Sequence, residues 1–221
     1  MRIIIFSHPR SCSTYLQDLI SKKLNLENWG EMVGPVGKDR KKYKTPPALM
    51  HLQETDLSKY DNYVTKLLTL QLYGNNFNLE SIEWDKIDYV FITERQNLTD
   101  QICSLWYMQM KHKDVNRIDI TSHQFKNALV SLQIFFSAKE FLLKNSNAKI
   151  IPYELFQEQP QSYVEELNKI TNFNFTTDDC TFIDNKKEYS LLIENYSEID
   201  NIVRALVTEP ADVADSKSAA P

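Results

Sequence analysis

Hydroxyl-bearing and basic residues are concentrated near the amino terminus, in Pro9-Arg10-Ser11-Cys12-Ser13-Thr14. An apolar run at positions 3–6 precedes this segment, and apolar residues at helical spacing follow it from Leu16 to Leu24. We therefore expect a buried strand, a turn, and a helix whose first N–H groups can receive an anion. Hydroxyl donors and the Arg10 charge would add to such a site for phosphate or sulfate. The alternative is an ordinary helix cap, in which Ser11 or Ser13 only closes the helix.

A second junction of the same kind lies in the middle of the chain. Positions 89–93, Tyr-Val-Phe-Ile-Thr, are typical of a strand, and apolar positions at helical spacing follow from Ile102. Arg95 closes the strand, and Ser104 stands nine residues later. The planar guanidinium of an arginine can bind two phosphate oxygens at once. The alternative is a surface salt bridge for Arg95 and a serine bonded to its own helix for Ser104.

Several other chemistries are disfavoured by the sequence. The chain has no Gly-x-x-x-x-Gly-Lys-[Ser/Thr] phosphate loop, and no arginine follows Cys12 at the spacing of a phosphatase loop. Its three cysteines include no Cys-x-x-Cys pair, which argues against a disulfide framework and against a structural zinc site. We therefore expect no metal at the site.

Both junctions resemble the nucleotide-binding motifs of sulfotransferases. The segment from Pro9 to Leu16 is similar to the family's 5′-phosphosulfate loop, P-[KR]-[ST]-G-[ST]-[ST]-[WY]-L, except that Cys12 replaces the glycine. The segment from Arg95 to Trp106 resembles R-x-N-L-x-x-Q-x-x-S-[LWY], a pattern of the bacterial and phage-like branch. The resemblance implies that the chain transfers a sulfuryl group from 3′-phosphoadenosine 5′-phosphosulfate (PAPS). The residues it assigns to the donor are Arg10, Ser11, Cys12, Ser13 and Thr14 at the 5′ end, and Arg95 and Ser104 at the 3′-phosphate.

The resemblance also suggests catalytic residues. Cytosolic members carry a K-T-H-like motif, and Lys66-Leu67-Leu68 stands in its place with leucine where the histidine base would be. Another branch uses a glutamate shortly after the first helix, which makes Glu31 the candidate base and leaves His51 in reserve. Lys66 would then stabilise the leaving group, and Arg10 would act in catalysis on the transferring group or the leaving phosphate. The alternatives are a solvated loop carboxylate for Glu31 and a surface lysine for Lys66.

Two more lysines belong to the resemblance near the carboxyl terminus. Lys186 and Lys187 lie where many relatives place basic residues that close over the nucleotide. The alternative for this pair is an exposed basic turn.

The remaining elements indicate how these residues are positioned. Further strands are expected at 63–68 and 148–153, helices at 122–143, 163–170 and 199–206, and a long loop at 30–47. Alternating strands and helices predict a single α/β domain over 1–207, with a central, mainly parallel sheet flanked by helices. The resemblance implies the sulfotransferase version of this fold, which is like that of P-loop nucleotide kinases. Residues 208–221 lack large apolar side chains and are expected to be a disordered tail.

Composition limits the partners. The 221 residues carry a formal net charge of −5, which gives no support to a nucleic-acid partner. No segment is predicted to cross a membrane, and we expect a cytoplasmic protein. The acceptor could be a sugar, a lipid, a peptide or a small metabolite. A nucleotide or small-molecule kinase and a non-catalytic nucleotide-binding protein remain alternatives.

Overall fold

The computed structural model describes residues 1–31, 60–74, 78–110, 119–180 and 188–208. Three candidate residues, His51, Lys186 and Lys187, lie outside these ranges, as does the expected tail beyond residue 208. The predictions made for them stay predictions.

A single sheet of five parallel strands forms within the described ranges. The strands are β1 (Arg2–Ser7), β2 (Glu27–Glu31), β3 (Tyr63–Leu68), β4 (Tyr89–Glu94) and β5 (Lys149–Pro152), in the order β2-β3-β1-β4-β5. β2 and β3 lie on one side of β1, and β4 and β5 lie on the other. This architecture confirms the predicted α/β class with a central parallel sheet. Sheets of this kind bind ligands at the carboxyl ends of their strands, where the strand order changes direction.

Seven helices fall within the described ranges. They are α1 (Ser13–Leu24), α2 (Thr69–Gly74), α3 (Leu98–Met110), α4 (Ser122–Asn145), α5 (Pro160–Thr171), α6 (Tyr189–Leu192) and α7 (Tyr196–Thr208). Short 3₁₀ turns occupy Leu79–Ser81, Trp84–Lys86 and Tyr153–Gln157. None of the helices in the described part of the chain is long and apolar enough to span a membrane.

The first strand is covered on both faces, which explains its unbroken apolar sequence. Ile4 and Phe6 pack into one hydrophobic cluster, where Phe6 stacks on Phe135 of α4 with ring centroids 5.4 Å apart. Ile3 and Ile5 belong to a second cluster on the other face, built mainly by α1 and α5. A strand buried on both sides selects apolar residues at every position, as parallel sheets usually do.

The chain divides into two compact units. One consists of residues 1–96 and 126–186 and contains the sheet; the other consists of 97–125 and the described part of 187–221. Within the second unit, Thr99 donates to Asp200 at 2.8 Å, and the Tyr196 hydroxyl donates to Asp100 at 2.9 Å. These bonds fasten α7 to α3.

The loop predicted from the sequence at residues 30–47 is wrong at its first two positions. Gly30 and Glu31 were expected to begin a long loop, but they form the end of β2, which pairs with β3. Residues 32–47 of that expected loop lie outside the described ranges. The pairing arises because Trp29 stacks on Tyr63 at a centroid distance of 4.0 Å, a contact between distant parts of the sequence.

Candidate functional site

The first junction is a tight loop between β1 and α1 that is bonded to the neighbouring strand. The Ser11 hydroxyl donates to the His8 carbonyl at 2.7 Å and lies 2.8 Å from the Thr93 hydroxyl at the end of β4. Because the Ser11 proton goes to the His8 carbonyl, Thr93 donates in the second bond. Ser7 and Thr93 are register partners in the sheet. The two junctions identified in the sequence therefore lie side by side at the carboxyl edge of adjacent strands.

The loop backbone adopts two left-handed conformations, with φ of 70° at Arg10 and 60° at Cys12. Cys12 is the N-cap of α1: its carbonyl accepts the Leu16 N–H at 3.0 Å, but no side chain caps the helix. The Ser11 hydroxyl is used elsewhere, so it does not act as an ordinary cap. The first N–H groups of a helix have no acceptor within the helix itself and point toward the loop. This is the arrangement that binds anions at helix amino termini.

Cys12 occupies the position where the family pattern has glycine. A residue with a Cβ in the left-handed region costs roughly 1–2 kcal/mol, which explains the glycine of the pattern. Burial raises the pKa of the Cys12 thiol to about 11; Arg95 and Arg10 oppose this shift, and Glu154 adds to it. The thiol is therefore protonated near neutral pH. The charges of Arg10 and Arg95, the two arginines that the resemblance assigns to the donor, therefore both act on the Cys12 thiol.

Arg95 is held at the start of the turn that follows β4. It is 6% exposed, and its guanidinium lies over the Tyr153 ring at 4.4 Å, within the range of a cation–π interaction. The next backbone N–H, that of Gln96, donates to a Glu154 carboxylate oxygen at 2.9 Å. Glu154 thus fixes the turn, a role that the sequence analysis did not assign. The sequence offered little indication of this contact because Gln96 and Glu154 are 58 residues apart.

Lys66 connects the first loop with Glu31. Its ammonium donates to the Thr14 hydroxyl at 2.6 Å and lies 3.4 Å from a Glu31 carboxylate oxygen. The Lys66 side chain is 9% exposed and that of Glu31 is 41% exposed. The structure therefore brings together three of the candidate residues, and Lys66 is not an isolated surface lysine.

The end of β2 that carries Glu31 is fastened to α1. The Gly30 carbonyl accepts the Gln17 amide N–H at 2.8 Å and the Thr65 hydroxyl at 3.1 Å. Gly30 has a φ of 66°, and the pairing of β2 with β3 shifts register between Asn28 and Glu31. The sequence analysis missed Gln17 and Thr65. Gln17 could have been noticed because it is a polar residue on the apolar face of α1, directly after Leu16.

His8 is buried at the end of β1 on the α4 side of the sheet. Its ring meets the edge of Phe135 at 6.2 Å, and its Nδ1 lies 3.1 Å from the Pro9 carbonyl oxygen. Burial lowers the pKa of His8 to about 4. The imidazole is therefore neutral near pH 7 and contributes no charge to the loop.

The other candidate residues lie in different settings. Ser13 is the buried first residue of α1, and Ser104 is buried in α3, within the second unit. None of the three cysteines, all of which fall in described ranges, forms a disulfide. No group of three or more His, Cys, Asp or Glu side chains in the described chain is placed to hold a metal ion.

No family model matches the chain, and no curated protein matches it in sequence. A solved structure of the mouse sulfotransferase SULT7A1 complexed with PAP matches with a TM-score of 0.44 and 14% identity, covering 95% of this chain and 67% of that one. A similarity of this size says nothing about the substrates of this chain.

Proposed function

We propose that this protein transfers a sulfuryl group from PAPS to a hydroxyl group of an acceptor. The observation that carries the proposal is the hydrogen bond between Ser11 and Thr93, which ties the first sulfotransferase-like motif to the end of β4, the strand that leads into the second motif. That edge lies between β1 and β4, where the strand order changes direction and sheets of this type bind ligands.

The loop residues suit the 5′ end of the donor. Helix N–H groups and the Arg10 charge would bind the phosphosulfate oxygens. The Thr14 hydroxyl oxygen already accepts a hydrogen bond from the Lys66 ammonium, so the hydroxyl proton can be donated to an oxygen of PAPS. Arg95 would bind the 3′-phosphate, and the resemblance assigns Ser104 to the same phosphate.

The proposed reaction is an in-line displacement at sulfur. The acceptor hydroxyl oxygen forms a bond to sulfur while the bond from sulfur to the 5′-phosphate oxygen breaks, and the electron pair stays on that phosphate oxygen. Glu31 takes the hydroxyl proton as general base. Lys66 and the α1 amino terminus stabilise the charge that develops on the leaving phosphate. The products are a sulfate ester and 3′-phosphoadenosine 5′-phosphate (PAP).

The first test is the binding of PAP to an Arg95→Ala variant. We expect a loss of about 1.5–3 kcal/mol, because a charge-assisted bond to the 3′-phosphate disappears. Adenosine 5′-phosphate, which lacks that phosphate, should bind equally to both proteins in calorimetry. Arg204→Ala, which removes an exposed arginine of α7, is the matched control and should leave both affinities unchanged. Equal losses for the two ligands would remove Arg95 from the 3′-phosphate role.

The same titrations separate the alternatives. A kinase would bind ATP more tightly than PAP. A non-catalytic nucleotide-binding protein would bind PAP but leave sulfur-labelled PAPS intact in the presence of lysate fractions that supply acceptors. Transfer of the label to a lysate component would support the sulfotransferase and identify the fraction that contains its acceptor.

A further inference from the structure

Lys66 has two partners of different chemistry. Its ammonium donates to the neutral hydroxyl of Thr14 on α1 and forms an ion pair with the carboxylate of Glu31 on β2. An ammonium has three N–H donors, so both interactions can exist at once. In the structure the proposed base is therefore paired with the same cation that the proposed reaction needs at the leaving phosphate.

The backbone around both partners is tied to neighbouring elements, and Lys66 reaches both of them through its long side chain. Thr14 lies in the first turn of α1, and Glu31 follows Gly30, whose carbonyl is held by Gln17 and Thr65. A lysine side chain can turn its ammonium among neighbouring acceptors without any movement of the backbone. A change of partner at this site would therefore consist of a movement of Lys66 alone.

We propose that Lys66 exchanges the Glu31 carboxylate for a 5′-phosphate oxygen of the donor, so that donor binding releases Glu31 to accept the acceptor's proton. This inference rests on the proposed function. It predicts an order for the reaction: the donor binds first, and the base is available to the acceptor only afterwards.

Electrostatics support the exchange. The phosphosulfate group of the donor carries two negative charges, one on the phosphate and one on the sulfate, whereas a carboxylate carries one, so the pair with the donor gains more in a site shielded from water. The Lys66 side chain is only 9% exposed, so bulk water screens it weakly. While Lys66 is paired with Glu31, the carboxylate competes with the incoming donor for the same cation. Removing the carboxylate should therefore strengthen donor binding.

The test is a double-mutant cycle measured by calorimetry with PAP. Glu31→Gln should tighten PAP binding about fivefold when Lys66 is present and less than about twofold in a Lys66→Met background, a coupling typical of contacting residues. Adenosine 3′-phosphate has no 5′-phosphate, so Glu31→Gln should not change its affinity. Glu27→Gln, at the start of the same strand, is the matched control and should leave PAP binding unchanged.

The possible results distinguish a failure of the proposed function from a failure of the Lys66 exchange. Failure of the wild-type protein to bind PAP would overturn the proposed function and the exchange with it. Normal PAP binding with the same effect of Glu31→Gln in both backgrounds would overturn the exchange alone, because simple repulsion by Glu31 does not need Lys66. If Lys66→Met does not fold by circular dichroism, Lys66→Gln replaces it, since glutamine removes the charge and can still donate to Thr14.

Discussion

Cys12 stands where the loop pattern has glycine, and it adopts the backbone conformation that glycine favours. Its φ of 60° lies in the region that glycine adopts without cost, and the loop keeps this conformation although a side chain is present. The residue is half-buried and its pKa is raised, so it gives the loop no negative charge near neutral pH. The conformation of the loop is thus maintained by the surrounding bonds, among them those of Ser11.

A comparison of two substitutions tests the strain at Cys12. Alanine keeps a Cβ and glycine removes it, so we expect Cys12→Gly to be more stable than Cys12→Ala by about 1 kcal/mol in urea unfolding. At an unstrained helical position the order is reversed, because glycine costs about 1 kcal/mol there. Ala128, which is buried within α4, supplies that control through Ala128→Gly. If Cys12→Ala were the more stable variant, the left-handed conformation would carry no strain.

At the scale of elements, the Gly30 carbonyl links the end of β2 to both α1 and β3. Gly30 O accepts from both Gln17 and Thr65, so either donor alone can satisfy it. Buried carbonyls that lose every partner cost roughly 1–3 kcal/mol. The two donors therefore form a redundant pair that holds the strand end in place beside Lys66.

The redundancy predicts non-additive effects on the free energy of unfolding. Gln17→Met and Thr65→Val should each destabilise modestly, since one donor remains and the methionine also removes a buried amide oxygen that has no partner. Their combination should cost about 1 kcal/mol or more beyond the sum of the single losses, because Gly30 O is then unsatisfied. Urea titrations of the four proteins measure this difference. Strictly additive losses would show that water replaces the missing donors.

The elements differ in how well the sequence predicts them. The strands β1 and β4 were predictable because a parallel sheet covered on both faces requires apolar runs, which both strands contain. β3 was also expected, although Thr65 and Lys66 interrupt its apolar residues. The strand β2 was not, because Glu27, Asn28 and Glu31 are polar and its one buried aromatic residue packs on Tyr63, far away in the sequence. The motif residues of the loops could be identified from their types and spacing. Gln17, Thr65 and Glu154 could not, since their contacts depend on the folded sheet.

At the scale of the whole molecule, His8 links stability to pH. Its folded pKa of about 4 is below the ordinary value of 6.5, so the unfolded chain takes up the proton first as the pH falls. The stability contributed by neutral His8 is complete above pH 6.5 and is lost progressively toward pH 4. The expected loss is about 2 kcal/mol at about pH 5.

A variant without this titration checks the prediction. His8→Phe keeps an aromatic ring next to Phe135 and cannot take up a proton. Between about pH 7.5 and about pH 5, the wild type should lose about 2 kcal/mol more of its free energy of unfolding than the variant does. All other ionisable groups are common to the two proteins. Equal losses of the free energy of unfolding in the two proteins would mean that His8 takes up its proton as readily in the folded state as in the unfolded chain.

The central position of β1 has a consequence for synthesis. This strand leaves the ribosome before the other four described strands, yet it pairs with β3 and β4, and its start is bonded to Asp88, 86 residues further along the chain. At translation rates of about 5–20 residues per second, its apolar side chains wait about 4–17 s for their neighbours. During that interval the segment is a natural target for chaperones, and the loop from His8 to Cys12 cannot take its final form until the polypeptide has grown past Thr93.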